Sequence, residues 1–113
     1  MPFVDFNAKK KVKLFEGITG SIHHSQQLTF AHITLEKGAL APEHHHIHEQ
    51  WTHVLSGALE FTLGDEKALL TSGMAVYIPS NIPHSAHAIT KCNVIDCFLP
   101  VREDFIELEK KSN

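Results

Sequence analysis

Short apolar or alternating runs recur along the first 100 residues, and none of them shows the longer period of an amphipathic helix. Turn-forming residues separate the runs at intervals of about eight to twelve residues, which is typical of an all-β sandwich or barrel. The pattern predicts strands over 12–18, 28–35, 51–56, 58–63, 68–71, 75–78, 85–89 and 94–99. The stretch 17–21, rich in glycine and small polar residues, is predicted as a break.

The pattern changes after Pro100. Residues 102–111 carry acidic side chains early and lysines late, the order that a helix dipole favours. We therefore expect a short C-terminal helix over about 102–111. No linker, repeat or low-complexity stretch interrupts the chain, so a single domain is predicted over residues 1–113.

Composition narrows the classes of function. Of the 113 residues, 42% are hydrophobic and 20% are charged, which is typical of a folded domain. The formal net charge of -3 argues against the basic surface of a nucleic-acid-binding protein. No apolar run approaches the ~20 residues that span a bilayer, and the N-terminus lacks the order of a signal peptide. We therefore expect a cytoplasmic protein that binds neither nucleic acid nor membrane.

The two cysteines, Cys92 and Cys97, lie five positions apart on one predicted strand. Their side chains then point to opposite faces of that strand, so they cannot form a disulfide with each other. We expect two reduced thiols, and a disulfide framework is excluded.

Histidine is unusually frequent: there are 10, and four fall within five positions, at His44, His45, His46 and His48. If this segment is one strand, alternation places every second residue from His44 to Gln50 on one face. Neutral imidazoles two positions apart can bind one cation, and a carboxamide oxygen can join them. A metal site is therefore predicted here, with a solvated polar loop as the alternative.

A second segment, from Gly73 to His84, is predicted as a strand, a proline-stiffened turn and a histidine at the entry to the next strand. Alone, His84 would be an ordinary polar residue at a strand end. Together with the first cluster it offers a further nitrogen ligand from a distant part of the chain.

These two segments resemble the two motifs of the cupins, a family of small metal-binding β-barrels. The first motif (Gly, five residues, His, one, His, three or four, Glu, six, Gly) is matched by Gly38, His44, His46, Gln50 and Gly57. The second (Gly, five residues, Pro, one, Gly, two, His, three, Asn) is matched by Gly73, Pro79, Asn81, His84 and Ala88. The resemblance covers a core of about 28–99 and implies a single-domain jelly-roll barrel, or double-stranded β-helix.

The resemblance also implies four metal ligands: His44, His46, Gln50 and His84. Gln50 stands where the family usually has Glu, so three imidazoles and an amide leave the charge of a divalent ion uncompensated. Such an ion is a stronger Lewis acid and favours anionic ligands. The set also departs from the two-histidine, one-carboxylate set of many non-haem iron oxygenases. A divalent transition metal (Ni, Zn, Fe, Mn, Co or Cu) is implied, and the sequence leaves the choice open.

The last predicted strand contains an acid, Asp96, between two apolar faces. A buried carboxylate costs several kcal/mol unless it is paired. Asp96 therefore either bonds to backbone amides or to Arg102, or acts as a general acid/base with Phe98 beside it as a wall for a sugar ring. Arg102, the only arginine, either pairs with Glu103 or Glu107 or holds a substrate carboxylate at two points.

The ending Asp-x-Phe-x-Pro-x-Arg-Glu-Asp-Phe, at residues 96–105, resembles that of cupins that open 4,5-unsaturated uronate monosaccharides to the linear keto form. The resemblance implies a metal-dependent enzyme acting on a small anionic sugar, with Asp96, Phe98 and Arg102 in its active site. A cupin that binds a metal or a sugar acid without chemistry, and a metal-dependent dioxygenase, are the alternatives. By analogy with small cupins, a homodimer is expected.

Overall fold

The computed structural model describes residues 2–111; Met1, Ser112 and Asn113, at the ends of the predicted domain, lie outside the described residues. Along the chain the elements are β1 (Val12–Phe15), β2 (Ile18–His24), β3 (Thr29–Leu35), β4 (Leu40–His44), β5 (Glu49–Ser56), β6 (Leu59–Leu63), β7 (Glu66–Leu70), β8 (Ala75–Ile78), β9 (His84–Ala88), β10 (Cys92–Leu99) and α1 (Glu103–Lys111).

The strands form two antiparallel sheets. The larger has the order β1-β2-β3-β10-β5-β8, and the smaller has the order β4-β9-β6-β7. The inner faces of both sheets supply one apolar core, which includes Ile22 and Val54 of the larger sheet and Leu59 and Phe61 of the smaller. The strands that form it alternate buried and more exposed residues, as half-buried strands do. The core therefore lies between the sheets.

Helix α1 packs against this core through Phe105 and Leu108. It is nine residues long, and within residues 2–111 the protein has no helix of the length and apolar character needed to cross a membrane. Cys92 is buried and Cys97 is half-buried, and both are free thiols.

The predicted all-β class with a short C-terminal helix is confirmed, and α1 begins one residue after its predicted start. The break predicted over 17–21 is wrong, because β2 occupies Ile18–His24. Gly20 lies inside this strand, where an added Cβ would come 2.6 Å from Cδ1 of Ile33. The glycine therefore marks a close approach of packed strands and not a turn.

The single strand predicted through the histidine cluster is also wrong. β4 ends at His44 and β5 begins at Glu49, and residues 45–48 form the loop between them. His44 thus belongs to the smaller sheet and Gln50 to the larger one. Alternation along one strand cannot be what brings these side chains together.

Candidate functional site

His44 and His84 meet across two neighbouring strands of the smaller sheet. β4 and β9 are antiparallel, and His44 lies directly opposite His84 in their register. Directly opposed residues place their side chains on the same face. The ring centroids accordingly lie 4.3 Å apart.

His46 reaches the same place from the loop between β4 and β5. The backbone N–H of Asn81 donates a hydrogen bond of 2.7 Å to the carbonyl oxygen of His46. Asn81 has a φ of 64°, the left-handed conformation that the family's glycine would adopt. Ser80 Oγ donates to the carbonyl oxygen of Ile47 over 2.5 Å. The proline-stiffened turn thus holds the loop so that the His46 ring centroid lies 4.9 Å from that of His84.

Each of the three rings is oriented by a backbone carbonyl. The Nδ1 atoms of His44, His46 and His84 lie 2.7, 2.9 and 2.8 Å from the carbonyl oxygens of Pro42, His48 and Ile82, respectively. A carbonyl oxygen can only accept, so each Nδ1 carries the proton. A neutral ring then has its lone pair on Nε2, the atom left for a metal ion.

The ligating atoms of the three histidines converge. One ring nitrogen from each of His44, His46 and His84 lies within 4.8 Å of the other two. Burial is the main cause that lowers the pKa of His84 to about 4, and burial also lowers the pKa of His46. Nε2 of His84 is buried without a hydrogen-bond partner among the described residues. A cation between these nitrogens would satisfy that atom, so the residues fit a divalent transition metal.

Gln50 faces the cluster from the larger sheet. It is the second residue of β5 and is 7% exposed. Its Oε1 lies 3.0 Å from Nε2 of His46, and its Nε2 donates to Thr52 Oγ1 over 2.8 Å. With Nδ1 of His46 protonated, two lone-pair atoms face each other across that 3.0 Å gap. A bound cation that accepts both lone pairs would resolve this, which makes Gln50 the fourth candidate ligand.

Asp96 is the cross-strand neighbour of Thr52, because β10 pairs with β5 in that register. Thr52 Oγ1 donates to Asp96 Oδ1 over 2.7 Å. Burial raises the pKa of Asp96 to about 6, although the Thr52 hydrogen bond and the charge of Arg102 oppose that rise. Neither structural alternative, a bond to backbone amides or to Arg102, is the contact that the structure shows.

Arg102 is enclosed by two aromatic rings at the entry to α1. Its guanidinium carbon lies 4.7 Å from the ring centroid of Phe98 and 4.0 Å from that of Phe105. Nε and Nη2 donate to the two carboxylate oxygens of Asp104 over 3.0 and 2.7 Å. The alternative of an ion pair with Glu103 or Glu107 is therefore not what the structure shows, because the flat guanidinium fork meets Asp104 at two points.

One cavity of about 330 Å³ is lined both by residues of the histidine cluster and by Asp96 and Arg102. Its volume is within the range of small-molecule pockets. Its polar lining comprises His44, Gln50, Thr52, His84, Ser85, Asp96, Arg102 and Asp104. Phe98 also lines it, and its ring centroid lies 5.8 Å from that of His46. Apolar residues such as Ile33 and Leu59 line it as well.

The structure brings together all seven residues that the sequence singles out, although the role of each stays a prediction. Sequence reasoning missed two residues of the site, Thr52 and Asp104. Alternation places Thr52 on the same face as Gln50, but alternation alone gives Thr52 no role in the site. The sequence has no comparable signal for Asp104, because its contact with Arg102 depends on how the chain enters α1.

Residues 31–98 match the family model described as the cupin domain. The pectin degradation protein KdgF of Dickeya dadantii (strain 3937) is 33% identical over 84 residues, which cover 73% of this chain and 76% of that protein. The xanthan biosynthesis protein XanB of Xanthomonas campestris pv. campestris (strain B100) is 40% identical over 70 residues, 60% of this chain but only 15% of that longer protein.

Two solved structures superpose on almost the whole chain. KdgF from Halomonas sp. has a TM-score of 0.87 at 30% identity, covering 93% of this chain and 98% of that one. An RmlC-like cupin from Shewanella frigidimarina NCIMB 400 has a TM-score of 0.88 at 26% identity, covering 93% and 96%. With two antiparallel sheets, three convergent histidines and a matching family model, the chain belongs to the cupin family.

Proposed function

We propose that the protein is a metal-dependent enzyme that opens 4,5-unsaturated uronate monosaccharides to their linear keto form. The observation that carries the proposal is the shared cavity, in which Asp96, Phe98 and Arg102 lie beside the histidine cluster. The likeness to two proteins named KdgF, one of them described as a pectin degradation protein, supports a uronate as substrate.

The metal ligands in this proposal are His44, His46, His84 and Gln50. A bound divalent ion supplies Lewis-acid polarisation of substrate oxygens. All four ligands are neutral, so the site favours an anionic substrate. The carbonyl-bound Nδ1 atoms keep the three rings in the tautomer that a metal requires.

Asp96 is proposed to move the one proton that the reaction needs. Its carboxylate takes the proton of the C1 hydroxyl as the bond between C1 and the ring oxygen breaks, which leaves an aldehyde at C1 and an enolate at C5. The same proton, delivered to C4, converts the enolate to the C5 ketone. Ring and linear forms have the same composition, so no oxidant or reductant takes part.

Arg102 and Phe98 are proposed to position the sugar. Arg102 is 11% exposed at its side chain and is held between two aromatic rings, so its fork is pre-oriented for a carboxylate. Phe98 is 3% exposed and supplies a flat apolar wall beside it. Together they would place the C1 end of the substrate towards Asp96 and the histidines.

The test is loss of the conjugated alkene absorbance of a 4,5-unsaturated uronate monosaccharide. Metal-loaded protein should accelerate the loss, and a chelator should stop the acceleration. No acceleration would reject the reaction. Binding of the sugar without alkene loss would then favour the non-catalytic cupin, and metal-dependent oxygen uptake would favour the dioxygenase.

We also propose that the protein is a cytoplasmic homodimer. The free thiols are compatible with a reducing compartment. On the larger sheet, Trp51 is 53% exposed and Tyr77 is 40% exposed, and exposed aromatic residues are enriched at protein interfaces. Light scattering after size exclusion should give twice the chain mass of 12.7 kDa; a single chain mass would contradict the dimer.

A further inference from the structure

The amide of Gln50 has two ends of nearly the same shape, and only one of them can bind a metal ion. The oxygen has lone pairs, whereas the –NH₂ group has none to offer. Gln50 is 7% exposed, so water does not decide which end faces the histidines. Something in the protein must therefore set the orientation of this side chain.

The hydroxyl of Thr52 is in the right place to do so. Thr52 is 3% exposed and its Oγ1 lies between two polar partners, 2.8 Å from Gln50 Nε2 and 2.7 Å from Asp96 Oδ1. A hydroxyl has one proton to donate and can also accept. Because an ionised Asp96 can only accept, the single proton of Thr52 points to it.

Thr52 Oγ1 is then left as an acceptor towards Gln50, so the end of the amide that faces it must be the –NH₂ group. The opposite end, Oε1, is thereby turned to His46 and lies 3.0 Å from its Nε2. The order of donors runs from the Gln50 amide to the Thr52 hydroxyl and on to the Asp96 carboxylate. Reversing the amide would bring Gln50 Oε1 against the acceptor lone pairs of Thr52 Oγ1, whose single proton is given to Asp96, and an unpaired contact of this kind at a buried position is costly.

We infer that Thr52 is a positioning residue of the metal site, whose hydroxyl holds Gln50 with its oxygen towards the metal. This inference rests on the metal-binding part of the proposed function and not on the substrate. It also accounts for Gln50 standing in place of the family's Glu. A carboxylate at position 50 would meet Thr52 Oγ1 as a second acceptor, while the only hydroxyl proton is already donated to Asp96.

The test measures Co²⁺ affinity and the visible absorption bands of bound Co²⁺, neither of which requires substrate. Thr52→Val keeps the branched shape and removes the hydroxyl, whereas Thr52→Ser keeps the hydroxyl. We expect Thr52→Val to weaken Co²⁺ binding ten- to hundredfold, the usual cost of losing a residue that orients a ligand, and to shift the Co²⁺ bands. Thr52→Ser should stay within about threefold of the unmodified protein.

A double-mutant cycle with Gln50→Ala separates positioning from packing. If Thr52 acts through Gln50, Thr52→Val should change the Co²⁺ affinity of the Gln50→Ala protein less than twofold. An undiminished loss in that background, or equal losses for Thr52→Val and Thr52→Ser, would overturn the inference while leaving the metal site in place. Failure of the unmodified protein to bind Co²⁺ would instead overturn the metal site itself. If Thr52→Val does not fold, Thr52→Ala takes its place in the same cycle.

Discussion

The two halves of the cavity are held in different ways. In the histidine half, Nδ1 of His44, His46 and His84 is bound in each case to a backbone carbonyl. In the other half, Asp96 and Arg102 are held by side chains, with Thr52 bound to Asp96 and Asp104 bound to Arg102. The position of each ring in the first half follows the backbone of the sheets and of the turn at Asn81.

This difference suggests different tasks. A metal site gains from ligands that are fixed before the ion arrives. A substrate site must exchange partners, and the side chain of Asp104 is 60% exposed while that of Arg102 is only 11% exposed. The arginine is therefore enclosed, and its acidic partner is the solvent-exposed member of the pair. We interpret the histidine half as the preformed part and the Arg102 half as the exchangeable part.

The largest effect is expected when a histidine of the preformed half is removed, and it is a loss of metal affinity. His84→Ala removes a ligand that no neighbouring side chain replaces, so divalent metal affinity should fall by more than a hundredfold. Metal content after dialysis and calorimetric titration would measure it. His87→Ala is the matched control, because His87 lies on the same strand and is not part of the cluster. Equal metal affinity in both variants would show that the cluster is not the metal site.

The next effect concerns Asp96, whose ionised form is disfavoured by burial in the folded protein. Asp96→Asn should abolish uronate turnover and leave metal affinity within about threefold, because Asn can still accept from Thr52. Retained full activity would remove the proton-transfer role. A drop in metal affinity as large as that of His84→Ala would show that the two halves cannot be separated.

The same variant should be more stable than the unmodified protein in a pH-dependent way. The pKa of Asp96 is raised from 3.8 to about 6 by burial, so the folded state disfavours the ionised form. That penalty is absent below about pH 4, grows through the interval up to 6 and is complete above it. Asp96→Asn should therefore gain about 3 kcal/mol at pH 8 and little at pH 4, because each unit of raised pKa corresponds to about 1.4 kcal/mol, as measured by denaturation of metal-free protein. An equal gain at both pH values would contradict a buried carboxylate as the cause.

Much of the histidine half could be predicted from the sequence, whereas the partners in the other half could not. Motif spacing reflects the conformation of the backbone, and strand pairing and backbone hydrogen bonds place His44, His46 and His84. The spacing is therefore informative even though the predicted single strand is wrong. The partners of Asp96 and Arg102 depend on the register of β10 against β5 and on the path into α1. The Thr52–Asp96 contact joins positions 44 apart, which no local pattern encodes. Arg102 and Asp104 are only two positions apart, but their contact depends on the backbone conformation before α1 and not on helical spacing.

A smaller effect should follow from freeing Arg102. Asp104→Asn weakens the two-point pair, so an anionic substrate no longer competes with a carboxylate for the guanidinium. We expect a two- to tenfold fall in KM for the uronate with little change in kcat, the size of one exposed charge pair. Glu103→Gln is the control, since it removes one charge from the same helix turn. A rise in KM for Asp104→Asn would show that Asp104 positions the arginine instead of competing for it.

The smallest effect concerns helix α1, which carries Asp104, the partner of Arg102. Thr29 Oγ1 accepts the N–H of Arg102 and has its proton free for His24 Nδ1, and His24 Nε2 then donates to Glu109 over 2.8 Å. Glu109→Gln keeps an acceptor for His24 and loses only the charge. That carboxylate also lies in the last helical turn, where a negative charge is unfavourable. Destabilisation should therefore stay near 0.5 kcal/mol and metal affinity should not change.

Glu107→Gln is the control, because it alters an exposed pair with Lys110 on the same helix. It should cost no more stability, and urea denaturation would compare the two variants. A loss of metal affinity in Glu109→Gln would mean that the helix contacts also hold the histidine half.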